Sequence, residues 1–180
     1  MFFRIDTNVL YCGPQKIGFK EGVREEVNVD AVWVAGVLEM EKVYFIWICP
    51  THKNFEWFIE VLKKVEDMDQ QGVIETHIFV TQFFHKFDLR TTMLYICEKH
   101  FRGLSNNNRS MFTGLRATNH FGRPNFDVFF KYLQSKHAST NDIGVFSCGP
   151  AAVNKQIRRA CTEANRARNA PSFTHRFETF

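Results

Sequence analysis

The chain has 180 residues, 44% of them hydrophobic and 23% charged, with a formal net charge of +4. Such a composition suits a folded domain that buries about two-thirds of its unfolded surface, and the charge is too small for a nucleic-acid-binding protein. No apolar run approaches the roughly 18 residues that a bilayer span needs, and Arg4 and Asp6 interrupt the apolar start Met1-Phe2-Phe3 before it reaches signal-peptide length.

Residues 1–41 are mixed in character, with a charged cluster over residues 20–26 and one segment, Val29 to Leu38, able to form a short strand. From Lys42 the pattern sharpens. Val43 to Cys49 is a continuous apolar run rich in β-branched and aromatic residues, the signature of a strand buried on both faces. Pro50 stops it. Thr51 or Asn54 then caps a helix to about Asp67, with Phe55, Phe58, Ile59, Leu62 and Val65 on one face. A second strand is expected over Ile74 to Thr81 and a helix over Asp88 to Phe101, with Leu89, Thr92, Met93, Ile96 and Cys97 inward. Arg102 to Ser110, with three consecutive Asn, reads as an exposed loop. Met111 to Leu115 reads as short and extended, and Gly122-Arg123-Pro124 as a turn. Asn125 caps a helix to about His137, burying Phe126, Phe129, Phe130 and Leu133. A third buried strand, Ile143 to Ser147, runs into Cys148-Gly149-Pro150 and a helix to about Asn165. A last strand covers Ser172 to Phe177.

Strands that alternate with helices imply an α/β fold, a Rossmann-like parallel sheet with helices on both faces. Ligands of such sheets bind outside the carboxyl ends of the strands. Three strand ends are therefore candidates: Cys49-Pro50-Thr51-His52-Lys53, Thr81-Gln82, and Cys148-Gly149-Pro150. Gly149 lets a flat ring approach the backbone, and Pro150 suits a first helical turn whose N–H groups and dipole face the crevice. An ordinary strand-to-helix turn accounts for the tripeptide equally well. The five cysteines are odd in number and show no Cys-x-x-Cys spacing, and the seven histidines show no ligand spacing. Neither a disulfide framework nor a metal site is expected, and a reducing compartment is the simpler context. A catalytic-thiol role for Cys148 would need a His base that the sequence does not place.

Several longer motifs carry a resemblance. Ile143-Gly144-Val145-Phe146-Ser147-Cys148-Gly149-Pro150, Phe121-Gly122-Arg123-Pro124-Asn125-Phe126 and the ending His175-Arg176-Phe177-Glu178-Thr179-Phe180 resemble the C-terminal lobe of NADPH oxidases. Lys86-Phe87-Asp88-Leu89-Arg90-Thr91-Thr92-Met93-Leu94-Tyr95-Ile96-Cys97-Glu98 looks like the dual oxidases in particular. The resemblance covers Lys42 to Phe180. It implies a division into a divergent segment, 1–41, and an NADPH-binding domain, 42–180, of ferredoxin-reductase type. It further implies hydride transfer from NADPH to FAD held by a neighbouring barrel, then electron passage through haems of a membrane domain to oxygen, giving hydrogen peroxide. The lobe would sit at the cytoplasmic face of that membrane protein.

By the same resemblance Cys148 and Gly149 lie beside the nicotinamide, with Pro150 opening the helix behind them, and Phe180 matches a terminal aromatic that stacks on the flavin. Arg123 matches an arginine for the 2′-phosphate, whose fork binds phosphate bidentately. Where related oxidases carry another arginine this chain has Pro50, and Lys53 or His52 is the substitute cation. Thr81 ends the neighbouring strand. The family's first strand and its glycine-rich phosphate loop are missing or replaced, because nothing before Lys42 offers a strand, a loop and a helix in that order. The chain alone is therefore expected to bind NADPH weakly or not at all and to be inactive. The alternative is a truncated, non-catalytic fragment that keeps the fold and acts only through protein contacts.

Overall fold

The computed structural model describes residues 7–12, 42–83, 88–101 and 109–179. The strand expected at Val29 to Leu38, most of the 102–110 loop, the sites scanned for a glycine-rich loop and Phe180 lie outside the described residues.

Six strands form one sheet: β1 (Thr7–Cys12), β2 (Lys42–Cys49), β3 (Ile74–Val80), β4 (Thr118–Phe121), β5 (Asp142–Gly149) and β6 (Ser172–Thr179). Their spatial order is β4-β3-β2-β1-β5-β6. Neighbours pair parallel except β1, which lies antiparallel between β2 and β5. Thr7 faces Trp47 and Cys148, and Cys12 faces Lys42 and Ile143. The place between β2 and β5 is thus filled by β1, from the part of the chain before Lys42, in the reverse direction. This satisfies the facing backbone edges of β2 and β5, which buried peptide groups require.

The helices are α1 (Ile59–Met68), α2 (Leu89–Ile96), α3 (Phe126–Lys136) and α4 (Ala151–Ala164). Strand side chains alternate between faces, so β2 feeds two cores. Tyr44, Ile46 and Ile48 join Phe126, Phe130 and Leu133 of α3 and Ile157 and Ala160 of α4. Trp47 and Cys49 join Ile78, Val80, Phe55, Leu62 and Leu94 on the side of α1 and α2. The continuous apolar run of β2 follows from these two covered faces.

Four local expectations are corrected. The segment after β2 is not one helix. Two 3₁₀ turns, His52–Asn54 and Glu56–Phe58, precede α1, because Phe55 leaves helical geometry at φ −121° and its side chain is fully buried. Thr51 and Asn54 do cap the first turn, with Thr51 N–H donating to Asn54 Oδ1 at 3.1 Å. Next, α2 turns a different face inward: Thr91 and Leu94 are buried, whereas Leu89 is 65% exposed. Polar pinning overrides the apolar count here. Thr91 Oγ1 donates to Asp88 Oδ2 at 2.7 Å and accepts from His52 N–H at 3.1 Å. Residues 111–113 form a turn instead of an extended segment. Ser110 Oγ accepts from the N–H of Phe112 and Thr113, and Gly114 takes φ +73°. Finally, β4 was not anticipated. It is short, four residues, and mostly polar at the edge of the sheet, which hides it from a search for apolar runs.

Candidate functional site

The parallel strands end together at one edge: Cys49 is level with Val80, Val80 with Phe121, and Gly149 with Thr179. The candidate positions among the described residues lie at or just after these ends. Thr81 N–H and Oγ1 both donate to Cys49 O, at 2.9 and 3.1 Å, and Gln82 N–H donates to Pro50 O. The Thr81 hydroxyl therefore ties the ends of β2 and β3 together. Gly122 N–H reaches Val80 O at 2.9 Å from φ +123°, a conformation that only glycine adopts at ease. That turn sends Arg123 out exposed. Beside it Asn125 caps α3, its Oδ1 accepting from Val128 N–H at 3.1 Å. A cleft of about 370 Å³ opens next to Pro124 and Asn125 over Ile46, Phe79 and Phe129.

At the other end of the edge, β5 runs through Cys148 and Gly149, and Pro150 is the N-cap of α4 at φ −57° and ψ 145°. Gly149 is buried and Cys148 partly exposed. Four inter-strand steps separate β4 from β5, so at ~4.8 Å each Arg123 and Cys148 stand on the order of 19 Å apart. They share an edge without touching. Lys53, exposed, lies between them. Thr179 pairs with Gly149, while Phe180 itself is outside the described residues.

His52 is placed differently from Lys53. Its ring is 3% exposed, packed edge-on against Phe55 and Phe112, and neither ring nitrogen has a hydrogen-bond partner. Burial lowers its pKa, outweighing the pull of Glu56 and Asp88. A buried neutral imidazole does not supply a cation for phosphate, whereas Lys53 is exposed.

The reading from sequence overlooked the groups beneath the Cys-Gly-Pro corner. Asn154, in the first turns of α4, is 3% exposed. Its Nδ2 donates to Glu178 O at 2.8 Å, Gly149 O at 3.1 Å and Thr179 Oγ1 at 3.2 Å. Its Oδ1 accepts from Ser147 Oγ at 2.8 Å. With its proton spent there, Ser147 Oγ can only accept from His175 Nε2, 2.8 Å away. Two signals were available: an asparagine early in a helix is a weak helix former, and Ser147 interrupts an apolar strand.

Three histidines, His52 and His77 buried and His175 half-buried, have lowered pKa values, with desolvation the leading cause in each. The unfolded chain binds more protons at these rings below their ordinary value of about 6.5. Stability should therefore fall as pH drops below that value. Urea titrations at pH 7.5 and 5.5 should give a lower midpoint at 5.5, with a shallower pH slope in His52→Leu; equal slopes would refute the assignment.

A comparison with known protein families decides the ancestry: the profile of the ferric reductase NAD-binding domain matches residues 26–162. The chain belongs to the ferric reductase NAD-binding domain family. This NAD-binding domain is 67% identical over 139 residues to dual oxidase 1 of Caenorhabditis elegans. It is 60% identical over 140 residues to the dual oxidase of Drosophila melanogaster and 50% identical over 140 residues to human dual oxidase 2. The alignments cover 77–78% of this chain and 9% of each relative. The resemblance to dual oxidases read from the motifs stands, as does the Rossmann-like architecture. Among the described residues no helix is long and apolar enough to cross a membrane.

Proposed function

We propose that residues 42–180 are the NADPH-binding part of a dual-oxidase reductase module. The reaction would pass hydride from the nicotinamide to FAD on a neighbouring domain, with electrons continuing through membrane haems to oxygen and hydrogen peroxide as product. The similarity to dual oxidases supports the chemistry. The single observation that supports the orientation is the shared carboxyl edge. An extended dinucleotide laid along it would put nicotinamide at Cys148 and Gly149, where the buried glycine permits close approach and the α4 dipole faces the ligand. Its 2′-phosphate end would lie at Arg123, with the exposed Lys53 as a second cation. Thr81 would hold the strand ends that carry these groups. Phe180 is proposed, from the family resemblance alone, as the aromatic partner of the flavin.

The pyrophosphate has the poorest provision. In a parallel strand the carboxyl end leads into a loop and a helix N-terminus that bind phosphate. Here β1 is antiparallel, so its amino end, Thr7, stands at that edge. This supports weak binding by the chain alone, and it is the one observation that favours the second reading, a non-catalytic fragment. NADPH added to labelled protein should shift amide signals near residues 49–53, 81, 122–124 and 148–150, with dissociation constants far above micromolar. Shifts confined elsewhere would overturn the site, and micromolar affinity by calorimetry would overturn the weak-cradle argument.

A further inference from the structure

β6 is an edge strand in which Arg176 to Thr179 are exposed. Exposed terminal strands fray unless something ties them down. Here α4 ties both ends of β6. At the amino end, Phe173 N–H donates to Asn165 Oδ1 at 2.6 Å and Asn165 Nδ2 returns a bond to Phe173 O at 2.9 Å. At the carboxyl end, the buried Nδ2 of Asn154 reaches Glu178 O and Thr179 Oγ1 while also holding Gly149 O. One amide thus joins the last described residues of β6 to the glycine of the Cys-Gly-Pro corner. Ser147 and His175 hold that amide from behind. Above them, the Arg158 guanidinium covers the Phe177 ring at 4.6 Å.

We propose that Asn154 is a positioning residue that sets where the C-terminal end of the chain stands relative to the Cys148–Gly149 corner. The proposal rests on reading that corner as the nicotinamide position, and it adds the group that aligns the two. The orientation is fixed by chemistry. A side-chain amide presents two N–H donors to the acceptors on β5 and β6 and one carbonyl to the Ser147 hydroxyl. No carboxylate or aliphatic side chain of that size reproduces the pattern. The Ser147 proton, committed to Asn154, makes His175 the Nε2–H tautomer with Nδ1 bare, which agrees with its unpartnered Nδ1 and its burial-lowered pKa.

Hydrogen exchange on the full chain tests this. In Asn154→Leu the amides of residues 177–179 should exchange at least about tenfold faster, because several net hydrogen bonds are lost, while those of β2 and β3 keep their protection. In Asn154→Asp the end should loosen too. It should partly tighten again, relative to the parent at the same pH, as acid restores one O–H donor. Asn165→Leu should loosen residues 172–174 and leave 177–179 alone. Unchanged protection at 177–179 in both Asn154 variants overturns the proposal. So does uniform loss across the sheet, or an Asp variant whose difference from the parent ignores pH. NADPH-induced shifts at Cys148 and Gly149 in the parent chain report separately on the nicotinamide reading.

Discussion

Phe130→Ala is expected to lower stability by about 4 kcal/mol, within the range for emptying a buried aromatic site. For a chain of this size that corresponds to a Tm drop on the order of 12 °C. Phe130 is fully buried and stacks on Phe173 with ring centroids 4.8 Å apart. It thus joins α3 to β6 across the core beneath Tyr44, Ile46 and Ile48 of β2. Helix α3 also carries the sheet's crossover: it leaves the margin at β4 and returns the chain to β5 on the far side of β1. Loosening it should disturb both ends of the proposed ligand edge at once, the Arg123 turn before it and the Cys148 strand after it. Val128→Ala, two residues away on the exposed side of the helix and 63% exposed, should change stability by no more than about 0.5 kcal/mol. Urea unfolding of both variants checks the contrast, and a Phe130→Ala cost near that of Val128→Ala would refute the core assignment.

The same segment shows what the sequence could and could not disclose. Asn125 as a cap and Phe126, Phe130 and Leu133 as a buried stripe are periodic, local signals that the structure bears out, while Phe129 of the same expected stripe is only partly buried. So does β2, whose two-sided burial is written as an unbroken apolar run. The strand-to-helix turn at Cys-Gly-Pro was legible because proline's fixed φ suits the start of a helix, and Pro150 is the N-cap of α4. Polar anchors were not. In α2 a threonine bonded to Asp88 and to the backbone of His52 decides the buried face against the apolar stripe. In α4 the buried residue that joins two strand ends is an asparagine, whose partners lie on residues brought near only by the fold. His52 reads from sequence as a candidate cation, yet Phe55 and Phe112 enclose it. Periodicity reports area buried, whereas these positions are set by tertiary hydrogen bonds. The reversal of β1 was likewise out of reach: strand direction depends on pairing with β2 and β5, not on the composition of Thr7–Cys12.

Glu66 makes the second large prediction, and it links an overlooked polar anchor to the ligand edge. The residue lies on α1 and is 9% exposed. Its carboxylate accepts from Arg116 N–H at 2.8 and 2.9 Å, from Ala117 N–H at 3.1 Å and from Arg109 Nη1 at 3.0 Å. The Arg116 guanidinium bonds its backbone carbonyl as well. One side chain therefore fixes the segment that enters β4, and β4 delivers the Gly122-Arg123 turn to the carboxyl edge. Glu66→Ala leaves two backbone donors unpaired near the core, and hydrogen bonds to a charged acceptor are the stronger kind. A loss of about 3 kcal/mol is expected, with about half of it recovered in Glu66→Gln, whose remaining oxygen still accepts. Amide signals from Arg116 to Arg123 should move in Glu66→Ala while those of β5 and α4 stay in place. If unfolding free energy changed by less than about 1 kcal/mol, or the signal changes spread evenly over the sheet, Glu66 would not be the anchor of this turn, and the position of Arg123 would have to be set by the α3 cap alone.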